Sequence, residues 1–258
     1  RAVVSGYGRR IVEAPLTAGG RLDLGAVEAA FSGPDAPTAY LLCSPHNPNG
    51  TVHTAEELEG VMALAIAHGD TVIVDEIHAP LVDPGTQFVP LLTVPGGERA
   101  ISVTSAGKAW NLAAFKAGLI IAGTEATGVL GHLPPLAQGS SGHFANLAHT
   151  TALTQCQGWV DELRGEIAAN KVLLSEQLAA KVPAACFLPG AGTYLAWVDC
   201  SRLGLADPAT EFRERGRGAF SPGVNFAASH DQWVRINLAC SPEVLTEAVD
   251  RMAATLAG

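Results

Sequence analysis

Four short apolar runs constrain the fold more than anything else in this chain. They are Ala39-Tyr40-Leu41-Leu42-Cys43, Thr71-Val72-Ile73-Val74, Ala100-Ile101-Ser102-Val103 and Gly118-Leu119-Ile120-Ile121-Ala122. Nearly continuous runs of this length are the pattern of strands buried on both faces. Between the first two lies a clear helix. Thr54 and Glu57 form a capping-box pair, Leu58, Val61, Met62, Ala65 and Ile66 recur at helical spacing, and Gly69 supplies the stop. Apolar strands alternating with helices predict an α/β fold with a mostly parallel sheet and helices on both faces.

The flanking segments extend this reading. Arg10 to Leu16 reads as a strand closed by proline, and Leu22 to Phe31 as a short helix capped by Asp23. Pro134-Pro135 and the polar stretch from Gln138 to His143 break the pattern. A long helix is then predicted from Trp159 to Lys181, with Leu163, Ile167, Leu173, Leu174 and Leu178 on or near one stripe. Thr193 to Val198 and Trp233 to Leu238 read as strands, and Glu243 to Leu256 as a closing helix. The expected organisation is a large domain over residues 1–160. An interdomain helix and a smaller α+β domain follow over 161–258. With 258 residues, 48% of them hydrophobic, the chain can bury a full core.

Several classes are disfavoured. The net charge is −9 and no basic run appears, which argues against a nucleic-acid partner. The five cysteines form no C-x-x-C pair and suggest reduced thiols in a cytoplasmic setting. No apolar stretch approaches the ~18–20 residues of a membrane span, and no signal peptide is seen. His46, His53 and His78 lack metal-site spacing, so no metal is expected. Gly190-Ala191-Gly192 precedes a strand rather than opening a helix, and Gly139-Ser140-Ser141-Gly142 lacks nucleophile-elbow spacing. The chain opens at Arg1, without methionine, on what reads as mid-domain sequence, so a fragment is expected.

In parallel sheets ligands sit beyond the carboxyl ends of the strands. Asn47, Asp75 and Lys108 all lie at or just past such ends. Lys108 sits in Thr104-Ser105-Ala106-Gly107-Lys108-Ala109-Trp110-Asn111, between an apolar run and a helix-like stretch. A lysine there can leave solvent, and desolvation makes an amine a usable nucleophile. Ser105 and Lys116 would both suit a phosphate, as hydroxyl donor and point charge. Asp75, in Val74-Asp75-Glu76-Ile77-His78, is a carboxylate at the end of a buried strand and calls for a cationic partner. Arg235 offers the directional, bidentate grip that a substrate carboxylate needs. Each residue also has a plainer reading. Lys108 could be a solvated lysine, Asp75 a loop cap and His78 a satisfied loop residue. Asn47 could serve a plain turn, and Arg235 could be a strand arginine paired with an acid.

Taken together, Ser44-Pro45-His46-Asn47-Pro48-Asn49-Gly50, Val74 to His78 and Thr104 to Asn111 resemble the fold-type I pyridoxal-phosphate enzymes of the aminotransferase class I/II superfamily. Histidine at 78, where many aminotransferases carry tyrosine, resembles the cystathionine β-lyase branch. The resemblance also takes in Gly192 to Trp197 and Pro222-Gly223-Val224. It implies pyridoxal 5'-phosphate as cofactor, with Lys108 as its Schiff-base lysine and Asp75 on the pyridine nitrogen. Asn47 and His78 would serve the phenolic oxygen, Ser105 and Lys116 the phosphate, and Arg235 the substrate carboxylate. It further implies an amino-acid substrate, a homodimer when intact, and C–S β-elimination to pyruvate, ammonia and a thiol. Transamination, or a non-catalytic cofactor-sensing role, is the alternative. Family members carry an earlier segment with a phosphate-binding turn and a ring-stacking aromatic, and neither is found here. Cofactor binding by these 258 residues alone is therefore expected to be poor.

Overall fold

The computed structural model describes residues 2–33, 39–135, 139 and 141–257. The chain divides into two compact units. The first comprises residues 1–44, 53–79 and 87–156, and the second 45–52, 80–86 and 157–258. The segments 45–52 and 80–86, placed in the first domain from sequence, thus group with the C-terminal unit.

The first unit is built on a four-stranded sheet. Its strands β1 (Ala39–Cys43), β2 (Thr71–Asp75), β3 (Ile101–Thr104) and β4 (Leu119–Ala122) lie in chain order. The pairs β1–β2 and β2–β3 are parallel, and β3–β4 is antiparallel. Its helices are α1 (Ala2–Gly6), α2 (Leu24–Ser32), α3 (Ala55–His68), α4 (Thr127–Leu130) and α5 (His143–Gln155). The expected caps are present. Asp23 accepts from the amides of Gly25 and Ala26, and Thr54 and Glu57 close a reciprocal box. Gly69 ends α3 at φ 75°, the left-handed conformation that glycine adopts without penalty. Leu58, Val61, Met62 and Ala65 of α3 pack with Val27 and Phe31 of α2 onto Leu42, Val72 and Val74.

Three expectations need correcting here. Arg10 to Leu16 forms no strand: Pro15 cannot donate to a ladder, and Ile11 and Val12 are exposed. The runs in β1 and β4 are not buried on both faces. Leu41 is 59% exposed, and Leu119, Ile120 and Ile121 are each about 45% exposed. Both strands are edges of the described sheet, with a paired neighbour on one side only. Helix α5 was not anticipated, because Thr150, Thr151 and Thr154 weaken its helical signal. Within the polar stretch that was read as breaking the pattern, Gln138 and Ser140 lie outside the described residues.

The second unit carries strands β5 (Cys186–Phe187), β6 (Leu195–Asp199), β7 (Ser221–Pro222) and β8 (Trp233–Asn237), in the order β5-β6-β8-β7 and all antiparallel. Helices α6 (Gln157–Lys181), α7 (Pro208–Glu214) and α8 (Pro242–Ala257) accompany them. Leu174 and Leu178 of α6, Phe212 of α7, and Leu245, Val249 and Met252 of α8 share one core with Ala196, Val198, Val234 and Ile236. The two short segments belong to this unit through specific bonds. Gly192 donates its amide to Gly50 O at 2.8 Å, and Asp83 donates its amide to Ala191 O at 2.8 Å. Lys171 Nζ meets Asp83 Oδ1 at 2.6 Å, and Arg164 Nε donates to Val82 O at 2.6 Å. Among the described residues no helix is long and apolar enough to cross a membrane.

Candidate active site

Sheet parity decides which side chains can reach a ligand. Successive residues of a strand point to opposite faces. Val72 and Val74 face the helices, so Glu76 follows them inward while Asp75 points the other way. Glu76 is buried. Its Oε1 accepts from the amide of Leu91 at 2.8 Å and its Oε2 from Ser102 Oγ at 2.6 Å. Burial pushes its carboxyl above the ordinary value. Asp75 is exposed. Its Oδ1 accepts from the amide of Ile77 at 3.0 Å, and Oδ2 has no hydrogen-bond partner among the described residues. The premise of a buried aspartate is thereby corrected: the buried carboxylate of this pair is its neighbour.

Asp75 pairs in register with Val103, and β3 ends one residue further on, at Thr104. Beyond the ends of both strands lies a cavity of ≈ 280 Å³. Asp75, Ile77, Val103, Ser105, Lys108 and Gly118 are among its lining residues. This lies just below the range for small-molecule pockets, about 300–1,000 Å³. The loop that presents Lys108 is anchored on both sides. Ala106, Ala109 and Trp110 are buried, and Trp110 Nε1 donates to Cys156 O at 2.9 Å. Lys108 itself is exposed and its amine has no hydrogen bond or ion pair among the described residues. Its expected burial is therefore also corrected: the loop is packed down, while Lys108 is exposed and lines the cavity.

Ser105 caps the same turn. Its Oγ accepts from the amide of Gly107 at 2.9 Å and donates to Ala117 O at 2.8 Å. A hydroxyl has one proton to give, so donation to a phosphate requires the bond to Ala117 to be exchanged. Lys116 is exposed at φ 57° and does not line the cavity, although Ala117 and Gly118 beside it do. His78 is buried in the turn after β2, at 4% exposure, and is not among the lining residues.

Asn47 and Arg235 come together in the second unit. Arg235 Nη1 donates to Asn47 Oδ1 at 3.2 Å and Nη2 to Ser221 Oγ at 3.4 Å. The guanidinium carbon sits 4.7 Å from the ring centre of Phe226. No carboxylate pairs with Arg235 among the described residues, and burial lowers its pKa. The oxygen of Asn47 is committed to the arginine, so the amide N–H groups remain for another acceptor.

The groups around the cavity fit the expected cofactor in part. A carboxylate with an open oxygen and an unpaired amine on one cavity suit the pyridine nitrogen and the aldehyde. At the phosphate end the cavity offers Ser105. An α/β unit with a mostly parallel sheet, a lysine loop and an aspartate at adjoining strand ends defines a fold-type I pyridoxal-phosphate architecture. The chain belongs to the aminotransferase class I and II family, whose model matches residues 1–252. A Mycobacterium leprae protein provisionally named cystathionine beta-lyase is 42% identical over 275 residues, covering 99% of this chain and 68% of that protein. Cystathionine beta-lyase PatB of Bacillus subtilis is 29% identical, covering 98% of this chain and 68% of its own length. The crystal structure of a provisionally named PLP-dependent beta-cystathionase from Corynebacterium diphtheriae superposes with a TM-score of 0.90 at 29% identity. It covers 99% of this chain and 68% of that one. The family and fold read from the sequence are borne out.

Sequence reading missed Glu76, Phe226 and Lys171. Glu76 shares strand parity with Val72 and Val74, a signal that was available. The closeness of Phe226 to Arg235 carries no sequence signature.

Proposed function

We propose that the chain is part of a pyridoxal-phosphate-dependent C–S β-lyase. It would cleave the Cβ–S bond of cystathionine or cysteine-type amino acids to give a thiol, pyruvate and ammonia. The observation that carries this reading is that Asp75 and Lys108 line one cavity at the carboxyl ends of β2 and β3. The names of the relatives above support the lyase over the transferase.

Bound pyridoxal phosphate supplies an aldehyde that condenses with amines and a ring that withdraws electrons from the substrate α-carbon. The roles of the protein follow from its own groups. Asp75 Oδ2, open to a donor, would accept the pyridine N–H and hold its positive charge in place. Asn47, its oxygen turned to Arg235, would donate N–H to the phenolic oxygen, and His78, three residues past Asp75, would serve the same oxygen. Ser105 and Lys116 would serve the phosphate. Arg235 would grip the substrate carboxylate through both amino groups. Lys108 Nζ would be the group that holds the cofactor and, once freed, would accept the substrate Cα proton as general base. The Cα–H electron pair would then form the Cα=Cβ bond as the sulfur leaves with the Cβ–S pair and takes up a proton. The remaining three-carbon enamine hydrolyses to pyruvate and ammonia.

The test gives the intact protein L-cystathionine, then separately a keto acid with an amino donor. Pyruvate with stoichiometric ammonia is the expected result. A new amino acid without ammonia would select transamination and overturn the lyase. Lys108→Ala should abolish the yellow, borohydride-sensitive colour of the preparation. The reading includes a cytoplasmic homodimer, for which light scattering on the intact protein should return twice the chain mass.

A further inference from the structure

We propose that Phe226 is a positioning residue for Arg235, and that an aromatic block beneath the guanidinium sets how tightly the site holds an α-carboxylate. The proposal rests on the carboxylate role given to Arg235 above.

The geometry around the ring carries it. Arg235 and Trp197 are directly opposed in the β6–β8 register, so both side chains leave the sheet on one face. Phe226 is wedged against both: its ring lies 5.3 Å from Trp197, edge to face, and 4.7 Å beneath the guanidinium carbon. Trp233 stacks on Trp197 at 5.3 Å, which backs the block. The loop carrying Phe226 is itself fixed. A Cβ on Gly223 would stand 2.0 Å from His230 O and 2.8 Å from Trp233 O, so the backbones meet there and only glycine fits. Phe226 also donates its amide to Gly223 O at 2.9 Å.

The chemistry follows from what is around the arginine. The groups that hold the guanidinium are neutral: Asn47 Oδ1, Ser221 Oγ and the Phe226 face, with the Tyr194 phenol also in electrostatic reach. An aromatic face attracts a cation without neutralising it or occupying its in-plane N–H donors. The guanidinium is thus held flat while its full charge remains for an incoming anion. A carboxylate partner in place of the ring would fix it equally well and compete with the ligand. Without the ring, the arginine would sample other rotamers and lose orientation before binding.

The experiment uses the intact, cofactor-loaded protein and three variants. Phe226→Leu keeps an apolar side chain but removes the π face. It is expected to raise KM for L-cystathionine about tenfold, with kcat within about twofold. The inhibition constant for propionate, which offers only a carboxylate, should rise by the same factor. Binding of cysteamine, which has the amine and sulfur but no carboxylate, should not change. Phe226→Tyr restores the face and should return both constants to within about twofold of the starting protein. The cofactor absorbance and melting temperature of each variant report folding. Should the leucine variant not fold, Phe226→Met supplies the same comparison. Arg235→Lys separates the two ideas. Unchanged KM and propionate inhibition in that variant sink the carboxylate role of Arg235. A large rise there, together with unchanged constants in folded Phe226→Leu, overturns the positioning role alone.

Discussion

Replacing Glu76 with alanine removes the acceptor for two buried donors at once. The amide of Leu91 and the hydroxyl of Ser102 reach it at 2.8 and 2.6 Å. Each donor left without a partner costs about 1–3 kcal/mol, so Glu76→Ala should lose about 2–6 kcal/mol. That is a large share of a typical domain stability of about 5–15 kcal/mol. Glu76→Gln behaves differently. Its carbonyl can take the Leu91 amide, and its N–H₂ can donate to Ser102 Oγ, which accepts as readily as it donates. The loss should then stay under about 1 kcal/mol at neutral pH. The charge adds a pH signature. Burial raises the native pKa of Glu76 above its ordinary 4.5. Between 4.5 and the raised native value the folded state binds more protons than the unfolded one. The group therefore supports the fold fully below 4.5, and that support is lost as pH rises through the native pKa. Glutamine cannot titrate, so this slope should vanish in Glu76→Gln. Urea denaturation of the intact protein at several pH values reads both effects. A Glu76→Ala variant within about 0.5 kcal/mol of the parent would refute the hydrogen-bond reasoning. An unchanged pH slope in Glu76→Gln would refute the electrostatic part.

Two further substitutions probe how the second unit is assembled. Lys171→Met should destabilise by about 1–3 kcal/mol because it strands half-buried Asp83. Adding Asp83→Leu should recover most of that loss, and a double-mutant denaturation series measures the coupling. Gly190→Ala would place a Cβ 2.2 Å from Asn49 O and 2.5 Å from Gly50 C. It should lower the melting temperature and weaken cofactor retention together, read by thermal unfolding at the cofactor absorbance. A Gly190→Ala protein with parental melting behaviour would show that the turn at 45–52 moves freely.

Much of the first unit was legible because local signals and tertiary structure agree there. The Thr54–Glu57 box, the Asp23 cap and Gly69 each act within one helical turn, so the sequence alone contains them. The mostly parallel pairing of the strands followed from their alternation with helices. Asp75 and Lys108 could be brought to one place because parallel strands end on the same side. Exposure was harder. The apolar runs of β1 and β4 look like central strands, but whether a neighbour pairs with them is not written in the run itself. Lys171 falls at a core position, between Ile167 and Leu174 at helical spacing, and its half-buried partner Asp83 lies 88 residues earlier. The bond from Arg235 to Asn47 spans 188 residues. No local pattern encodes contacts of that kind; only the folded chain displays them.

The interleaved division of the polypeptide has a practical consequence. The backbone passes from one unit to the other at 44/45, 52/53, 79/80, 86/87 and 156/157. Excising residues 157–258 would leave Lys171 without Asp83, Arg164 without Val82 O and Gly192 without Gly50 O. Gene-splitting at the linker would therefore yield a C-terminal piece lacking its anchors, and a library that shuffles modules between homologues must move three stretches together.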